Sequence, residues 1–442
     1  MITPGKIISC VIALLIVSCG SFGQSSTDDK DERSAQTMLN DANGYLGRKY
    51  QEFNKLKLAY DPKLEAQVKK EQQELAAKNA AILEHRKLSS DDRYYLGLLY
   101  HLAGNGNAAL ATMQQFIKDN PDGEKPQAAR SVVVLYSVKQ DKTADAIAAV
   151  NDYSRYQPQK AEDRYKMEFL IADAFIRSKD FGQVATHAEQ MLIAAQSFAA
   201  TNKSEVSKRD DMLLKSVFVL ADAYEKTNRR ELAIKTLEDL RRTALLFPSG
   251  NLFKLATFRL ASLSPGMNLQ KISDEVAHAP FEPLPEIAAN QWIDQAPVKL
   301  ADLRGQVVLL DFWAPWCGPC RFTFPKLTAW HEAYKDKGLV ILGVTKYFGH
   351  DNERQLTPGE ELVYLREFKK KNRLPYGFAV ADSDNNSINY GAFSIPMSFL
   401  IDRRGVVRFI SVGASPEEIA ALGEMVKKLV DEPVETRTVS IN

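Results

Sequence analysis

The chain has 442 residues, with 57 Lys+Arg against 56 Asp+Glu for a net charge of +1 and a hydrophobic content of 45%. That length calls for two or three folding units, and nothing in the balanced charge asks for a nucleic acid or another polyanion as partner. The four cysteines, Cys10, Cys19, Cys317 and Cys320, are too few for a disulfide-stapled framework, and no second CxxC is present to complete a four-cysteine zinc site.

Residues 1–23 read as an export segment. Lys6 supplies the positive start, and Ile7 to Val17 is apolar but short for a bilayer span. Two endings compete. Ile16-Val17-Ser18-Cys19 resembles the lipobox of bacterial lipoproteins, whose cysteine is lipid-modified, whereas Ser21-Phe22-Gly23 before Gln24 fits an ordinary signal peptidase. A retained N-terminal anchor is the third reading. All three place the body outside the cytoplasm, in the periplasm or cell envelope, with membrane association only through an N-terminal lipid or anchor. Residues 24–34 form a polar, flexible leader.

Residues 35–265 carry helical patterning, beginning with two helices over 34–58 and 62–86 that are separated at Pro62. Leu96-Gly97-x-x-Tyr100, Ala109 and Pro121 fall at the spacings of a tetratricopeptide unit. Tyr136 with Pro158, Ala172 with Phe175 and Val184, and Ala221 with Tyr224, Ala233 and Pro248 echo it, each aromatic being followed by a short polar turn. The pattern resembles degenerate tetratricopeptide repeats, a plain helical bundle being the alternative. In either case the small residues let helices approach and the aromatics fill the core. A repeat surface of this kind would hold a protein partner.

Ser264-Pro265-Gly266 closes the helical part, and residues 266–279 read as a linker or one more short helix. Residues 280–432 form the next domain and 433–442 a tail. Trp292-Ile293-Asp294 and Val298-Lys299-Leu300 read as a hairpin or short strands. Residues 306–312 are a buried strand, Arg321 to Lys335 an amphipathic helix, and Leu339 to Val344 a second buried strand, which together make a βαβ unit. A polar loop leads to a helix over 361–372. Gly377 to Ala381 is a strand, Asn386 to Ala392 a short helix, 398–402 and 406–412 a hairpin, and Pro416 to Val430 a closing helix.

Between strand and helix stands Trp316-Cys317-Gly318-Pro319-Cys320, which puts Cys317 at a helix N-terminus and Cys320 about one turn further in. Free N–H groups and the helix dipole favour a thiolate at Cys317, which is expected to attack; Cys320 then resolves the mixed disulfide. A zinc site borrowing His331 or His350 is the rival reading, and the strand-like context before the motif argues against it.

Asp311-Phe312-Trp313-Ala314-x-Trp316-Cys317-Gly318-Pro319-Cys320, with Ile395-Pro396 ahead of a strand, resembles thioredoxin. Lys299-Leu300-x-Asp302-Leu303-x-Gly305, the insert between strands, and Phe399-Leu400-Ile401-Asp402-x-x-Gly405 are similar to the TlpA/ResA-like envelope thiol–disulfide oxidoreductases. The resemblance spans roughly 280–432. It implies a multi-domain protein, with an α/β thioredoxin fold following an all-α tetratricopeptide-like domain. It further implies dithiol–disulfide exchange with protein substrates through a Cys317–Cys320 disulfide, no metal or organic cofactor, and an envelope electron donor or acceptor. Buried Asp311 would exchange a proton with Cys320. Trp316, Gly318, Pro319, Ile395 and Pro396 would contact substrate, with Pro396 in the cis form against the CxxC and the Ile395 backbone pairing with an extended segment. Gly318-Pro319 matches thioredoxin and points to a reducing poise. Many such relatives carry an acid three positions after the second cysteine. Here that position is Thr323, so the tuning attributed to the acid is not carried over. Two other functions compete: an adaptor whose helices bind partners with redox activity secondary, and a thiol peroxidase. The peroxidase reading lacks a cysteine in the region before the CxxC where a peroxidatic site would be expected.

Overall fold

The computed structural model describes residues 31–433 except positions 60, 267, 268, 282 and 352, so the export segment with Cys10 and Cys19, most of the leader, and 434–442 lie outside the described residues. The chain forms two compact units, Met1–Asn105 and Gly106–Asn442. The first holds α1 (Ala35–Lys55), α2 (Pro62–Glu84) and α3 (Ser90–Leu102). Each helix starts where a side chain takes an orphan N–H: Ser34 for α1, Asp61 with Pro62 at the first position for α2, and a Ser89/Asp92 capping box for α3. Small residues, Ala42, Ala76 and Ala80, line the core, and the Asn79 amide donates to the Met38 carbonyl at 2.9 Å.

The second unit begins with helices α4 (Gly106–Asp119), α5 (Glu124–Lys139), α6 (Thr143–Tyr153), α7 (Ala161–Ser178), α8 (Phe181–Thr201), α9 (Val206–Lys226), α10 (Arg230–Leu246), α11 (Gly250–Leu263) and α12 (Leu269–Ala277). The turns between paired helices share one backbone device. A left-handed residue, Asp141, Lys179 or Asn228 (φ 57°, 62° and 57°), follows the first helix. The next N–H then reaches back five residues: Lys142 to the Ser137 carbonyl (2.8 Å), Asp180 to Phe175 (3.0 Å) and Arg229 to Tyr224 (2.7 Å). In the first unit Gly104 (φ 77°) and the bond from Asn105 N to Tyr100 O repeat it. The position equivalent to Tyr100, Phe175 and Tyr224 is therefore Ser137, and the Tyr136 of the sequence pattern stands one place early. Its ring instead lies 2.5 Å from where a Cβ on Gly106 would sit, so that glycine permits the close approach of α4 and α5.

Six strands follow: β1 (Gln291–Ile293), β2 (Val307–Phe312), β3 (Leu339–Lys346), β4 (Gly377–Ala381), β5 (Met397–Ile401) and β6 (Val407–Val412). They make one sheet in the order β1-β4-β3-β2-β5-β6, with β4, β3 and β2 parallel and the β1–β4, β2–β5 and β5–β6 pairings antiparallel. The central strands are apolar because both faces are covered. With them are α13 (Gly318–Tyr334), α14 (Pro358–Lys371), α15 (Asn385–Asn389) and α16 (Pro416–Asp431). Two local expectations change. Residues 291–293 pair with β4 and not with 298–300, which instead enter a tight helical turn at Leu300–Leu303. The N–H groups of Leu300 and Ala301 donate there to the Glu286 carboxylate at 2.6 and 3.1 Å, which replaces ladder bonds. Helix α14 starts at Pro358 because Thr357 and Glu360 form a capping box around it.

Alternation along β2 divides the core. Val307 and Leu309 face Cys320, Phe324 and Leu327 of α13 and Leu422 and Val426 of α16. Val308, Leu310 and Phe312 face the other way, into a cluster continuous with Leu245, Leu252, Phe253 and Ala256 of α10 and α11. The redox sheet and the last repeat helices therefore share one hydrophobic core. Helix α12 joins them along β6. Arg408, 3% exposed, donates to the Ser273 carbonyl at 2.9 Å and pairs with Asp402 at 3.1 Å, while Arg242 pairs with Glu275 and Lys428 with Asp274.

Candidate functional site

Strand β2 ends in the centre of the sheet, and the chain turns through Trp313-Ala314-Pro315-Trp316 into α13. Cys317 is the N-cap of that helix, and its sulfur accepts the Cys320 N–H at 3.1 Å. Cys317 and Cys320 are disulfide-bonded with Cα atoms 5.3 Å apart, and both are buried among Trp313, Phe324 and Leu327. The helix N-terminus favours negative charge on the Cys317 sulfur once the bond is reduced. Pro319 occupies the first turn, where a missing N–H costs nothing, and Pro325 lies inside the helix. Gly318, Pro319 and Trp316 are exposed.

Asp311 shares the face of β2 that carries Val307 and Leu309, the face toward α13. It is 0% exposed, and burial pushes its carboxyl up to about 7 against the opposing hydrogen bond from Ser398. The Ser398 hydroxyl donates to Oδ1 at 2.8 Å, while Oδ2 has no hydrogen-bond partner among the described residues. Trp313 is core: its ring sits 5.3 Å from Phe368, 5.6 Å from Phe324 and 4.8 Å from Phe378. Thr323 is buried, and its hydroxyl donates to the Cys320 carbonyl at 2.8 Å.

The Ile395–Pro396 bond is cis, and Pro396 is buried at the start of β5. Ile395 packs against the cluster that holds both cysteines. A groove runs beside it, lined by Trp316, Phe348, Phe393 and Ile395. Lys346 and Asp384 also line it, paired at 2.6 Å. Trp316 meets Phe348 edge-on at 5.3 Å. The groove thus gathers Trp316 and Ile395 from stretches far apart in the chain. Four residues around the site escaped the sequence reading. Ser398 is set opposite Asp311 by the β2–β5 register. Phe348 is presented by its loop, whose Phe348 and Gly349 N–H groups both donate to buried Glu361 at 2.8 Å. Ser249 and Gly250 abut the loop before Pro396: the Gly250 N–H donates to the Tyr390 carbonyl at 2.9 Å, and a Cβ on Gly391 would lie 2.7 Å from Ser249 Oγ. Among the described residues no group of three or more His, Cys, Asp or Glu side chains is placed to hold a metal. His331 lies 6.4 Å, ring to ring, from Tyr376, and His350 lies in a short bridge with Gln355. No helix among the described residues is long and apolar enough to cross a membrane.

What this arrangement can do is two-electron exchange between a dithiol and a disulfide, and the chain is a thiol–disulfide oxidoreductase of the thioredoxin fold. Residues 281–410 match the AhpC/TSA family, and residues 93–123 match a tetratricopeptide repeat. The thiol:disulfide interchange protein DsbE of Pseudomonas fluorescens is 34% identical over 152 residues, covering 34% of this chain and 74% of that protein. The thiol-disulfide oxidoreductase ResA of Oceanobacillus iheyensis is 34% identical over 159 residues, covering 36% of this chain and 67% of that protein. A solved thiol:disulfide interchange protein of the thioredoxin family from Chlorobium tepidum is 25% identical, covers 35% of this chain and 99% of that one, and has a TM-score of 0.27. Through its C-terminal part the chain belongs to the family of thiol–disulfide oxidoreductases that DsbE and ResA represent.

Proposed function

We infer that this protein is an extracytoplasmic reductase of protein disulfides. The observation that carries the reading is the placement of Cys317 as N-cap of α13, with Cys320 one turn in and Asp311 on the strand face toward that helix. The Cys317 thiolate attacks a substrate disulfide; one substrate sulfur leaves as thiol, and a mixed disulfide with Cys317 forms. Cys320, losing its proton to Asp311, then attacks Cys317. The second substrate thiol is released, and the Cys317–Cys320 disulfide is restored. Trp316 and Ile395 receive the substrate segment in the groove, and Gly318, Pro319 and Pro396 contact it beside the cysteines. An envelope thiol donor reduces the pair for the next cycle. The apolar stretch from Ile7 to Val17 supports export, and Ser18-Cys19 supports attachment by lipid at Cys19. The helical region, from 35 to 265, is assigned to partner binding, which the tetratricopeptide match at 93–123 supports.

The test is reduction of insulin disulfides by the exported form, with dithiothreitol as electron source. Turnover above background that vanishes in Cys317→Ser is expected. Equal rates in both proteins would remove the reductase reading. An unchanged cellular phenotype in Cys317→Ser would favour the adaptor.

A further inference from the structure

The segment that carries Ile395 is held from outside the redox domain's own sheet. Ser249, wholly buried, is the N-cap of α11; its hydroxyl accepts the Leu252 N–H at 3.2 Å and donates to Asp210 on α9 at 2.5 Å. The Ser249–Asp210 bond ties α9 to the start of α11, and Arg209 donates to the same carboxylate at 2.8 Å. The first N–H of α11, on Gly250, would be an orphan in an isolated helix. It donates instead to the Tyr390 carbonyl at 2.9 Å. A Cβ on Gly250 would lie 1.9 Å from Met397 Sδ, the residue that follows Pro396. Gly391 adopts φ +54°, and a Cβ there would lie 2.7 Å from Ser249 Oγ. One helical turn further along, Lys254 donates to the Ser394 hydroxyl at 3.3 Å. From the sheet side, the Tyr390 hydroxyl donates to the Pro285 carbonyl at 2.6 Å, and its ring sits 5.5 Å from Phe312.

The segment 390–397 is therefore gripped between β2 on one side and the last repeat helices on the other. We propose that Ser249, Gly250 and Lys254 are positioning residues for the exchange reaction, setting the place of Ile395 against Trp316, so that the last repeat helices are a working part of substrate recognition. The proposal rests on the reading of the Trp316–Ile395 groove as the substrate site. The loop is too short and too densely bonded to relax independently of α11, so a shift at Gly250 passes through Met397 to Pro396. These residues act through the loop that carries Ile395, so the expected effect falls on substrate placement more than on exchange at Cys317.

The test separates recognition from chemistry. In the complete exported protein, kcat and KM are measured for insulin, alongside the rate with the small disulfide 5,5′-dithiobis(2-nitrobenzoate), which has no peptide segment to lay along the groove. Trp316→Ala reports on the groove. Gly250→Ala is expected to raise KM for insulin about 10-fold, well within the roughly 100-fold that a misplacement of about 1 Å can cost, with the small-disulfide rate kept within about twofold. Lys254→Met, a half-buried site where folding is not at stake, is expected to raise KM about threefold, a loss of roughly 0.7 kcal/mol. If Trp316→Ala leaves KM unchanged, the groove reading fails and the proposal falls with it. If Trp316→Ala raises KM while the α11 variants do not, the proposal alone is overturned. Parallel loss of both rates in Gly250→Ala would mean general damage at the cysteines, and would also overturn it. Should Gly250→Ala not fold, Lys254→Met decides.

Discussion

Replacing Asp311 by Asn should make the redox domain more stable and less active. The folded protein holds this carboxyl about 3 units above its ordinary 3.8, because it is wholly buried with one oxygen lacking a hydrogen-bond partner among the described residues. The sign follows from linkage. Folding favours the neutral acid, so stability is fully present below pH 3.8, falls as pH rises toward about 7, and is level above that. At about 1.4 kcal/mol per unit the cost of ionisation in place approaches about 4 kcal/mol. Asn removes it, keeps an acceptor for the Ser398 hydroxyl, and adds an amide N–H₂ whose burial costs about 1–3 kcal/mol. The net gain at pH 8 is about 1–3 kcal/mol, shrinking to nothing or reversing near pH 4. All four tryptophans, Trp292, Trp313, Trp316 and Trp330, lie in the redox domain, so urea unfolding followed by tryptophan fluorescence reads this part of the chain. Oxidised wild type and variant are compared from pH 4.5 to 8.5. A stability difference that does not grow with pH, or a variant weaker than wild type at pH 8, refutes the reasoning. Exchange at pH 7 should fall about 100-fold in the same variant, since the amide cannot accept the Cys320 proton.

Ser398→Ala removes the hydrogen bond that holds the Asp311 carboxyl down, worth about 1.5 kcal/mol to a charged acceptor, so the midpoint of the pH–rate profile should move about one unit alkaline. Arg408→Met leaves buried Asp402 without its cation and frees the Ser273 carbonyl; a loss of about 3 kcal/mol is expected in urea unfolding, with new protease cleavage near α12. Gly343→Ala places a Cβ 2.8 Å from both Trp313 Nε1 and Phe378 Cδ1, and should cost about 1–3 kcal/mol with a shifted tryptophan emission.

Much of the site was legible because its signals are local. An apolar run, an acid at its end, a CxxC and an amphipathic run specify β2, Asp311, the N-cap cysteine and α13 without knowledge of any partner strand. Ser398 was not legible, because its meeting with Asp311, 87 residues away, is a matter of strand register, and a one-residue slip would send it to the other face. The repeat was legible in outline, yet the spacing rule took Tyr136 where the backbone turn selects Ser137. The turn is specified by a left-handed residue, and Asp141 adopts that conformation without the glycine that marks it at Gly104. The 298–300 strand failed for a related reason: extended propensity is satisfied by ladder bonds only where a partner exists, and Glu286 offered closer acceptors.

The chemistry of the seam indicates whether the helical and redox parts can separate. Arg241 on α10 is 1% exposed and lies 4.6 Å from the Phe253 ring, and burial lowers its guanidinium to about 10 despite the attraction of Glu418 on α16. Arg408 of β6 is buried against α12, where it donates to the Ser273 carbonyl at 2.9 Å and pairs with Asp274 at 3.6 Å. Charged groups are held at such depth only where their partners stay in place, since breaking one buried pair leaves an uncompensated charge costing about 3–5 kcal/mol. Opening this seam would also expose Val308, Leu310 and Phe312, the whole inner face of the central strand, to water. A swinging tether would be built the other way, with a small polar interface that tolerates wetting. The last repeat helices therefore replace a layer that the sheet requires, and any partner bound near α11 acts on an element bonded to the loop beside the cysteines.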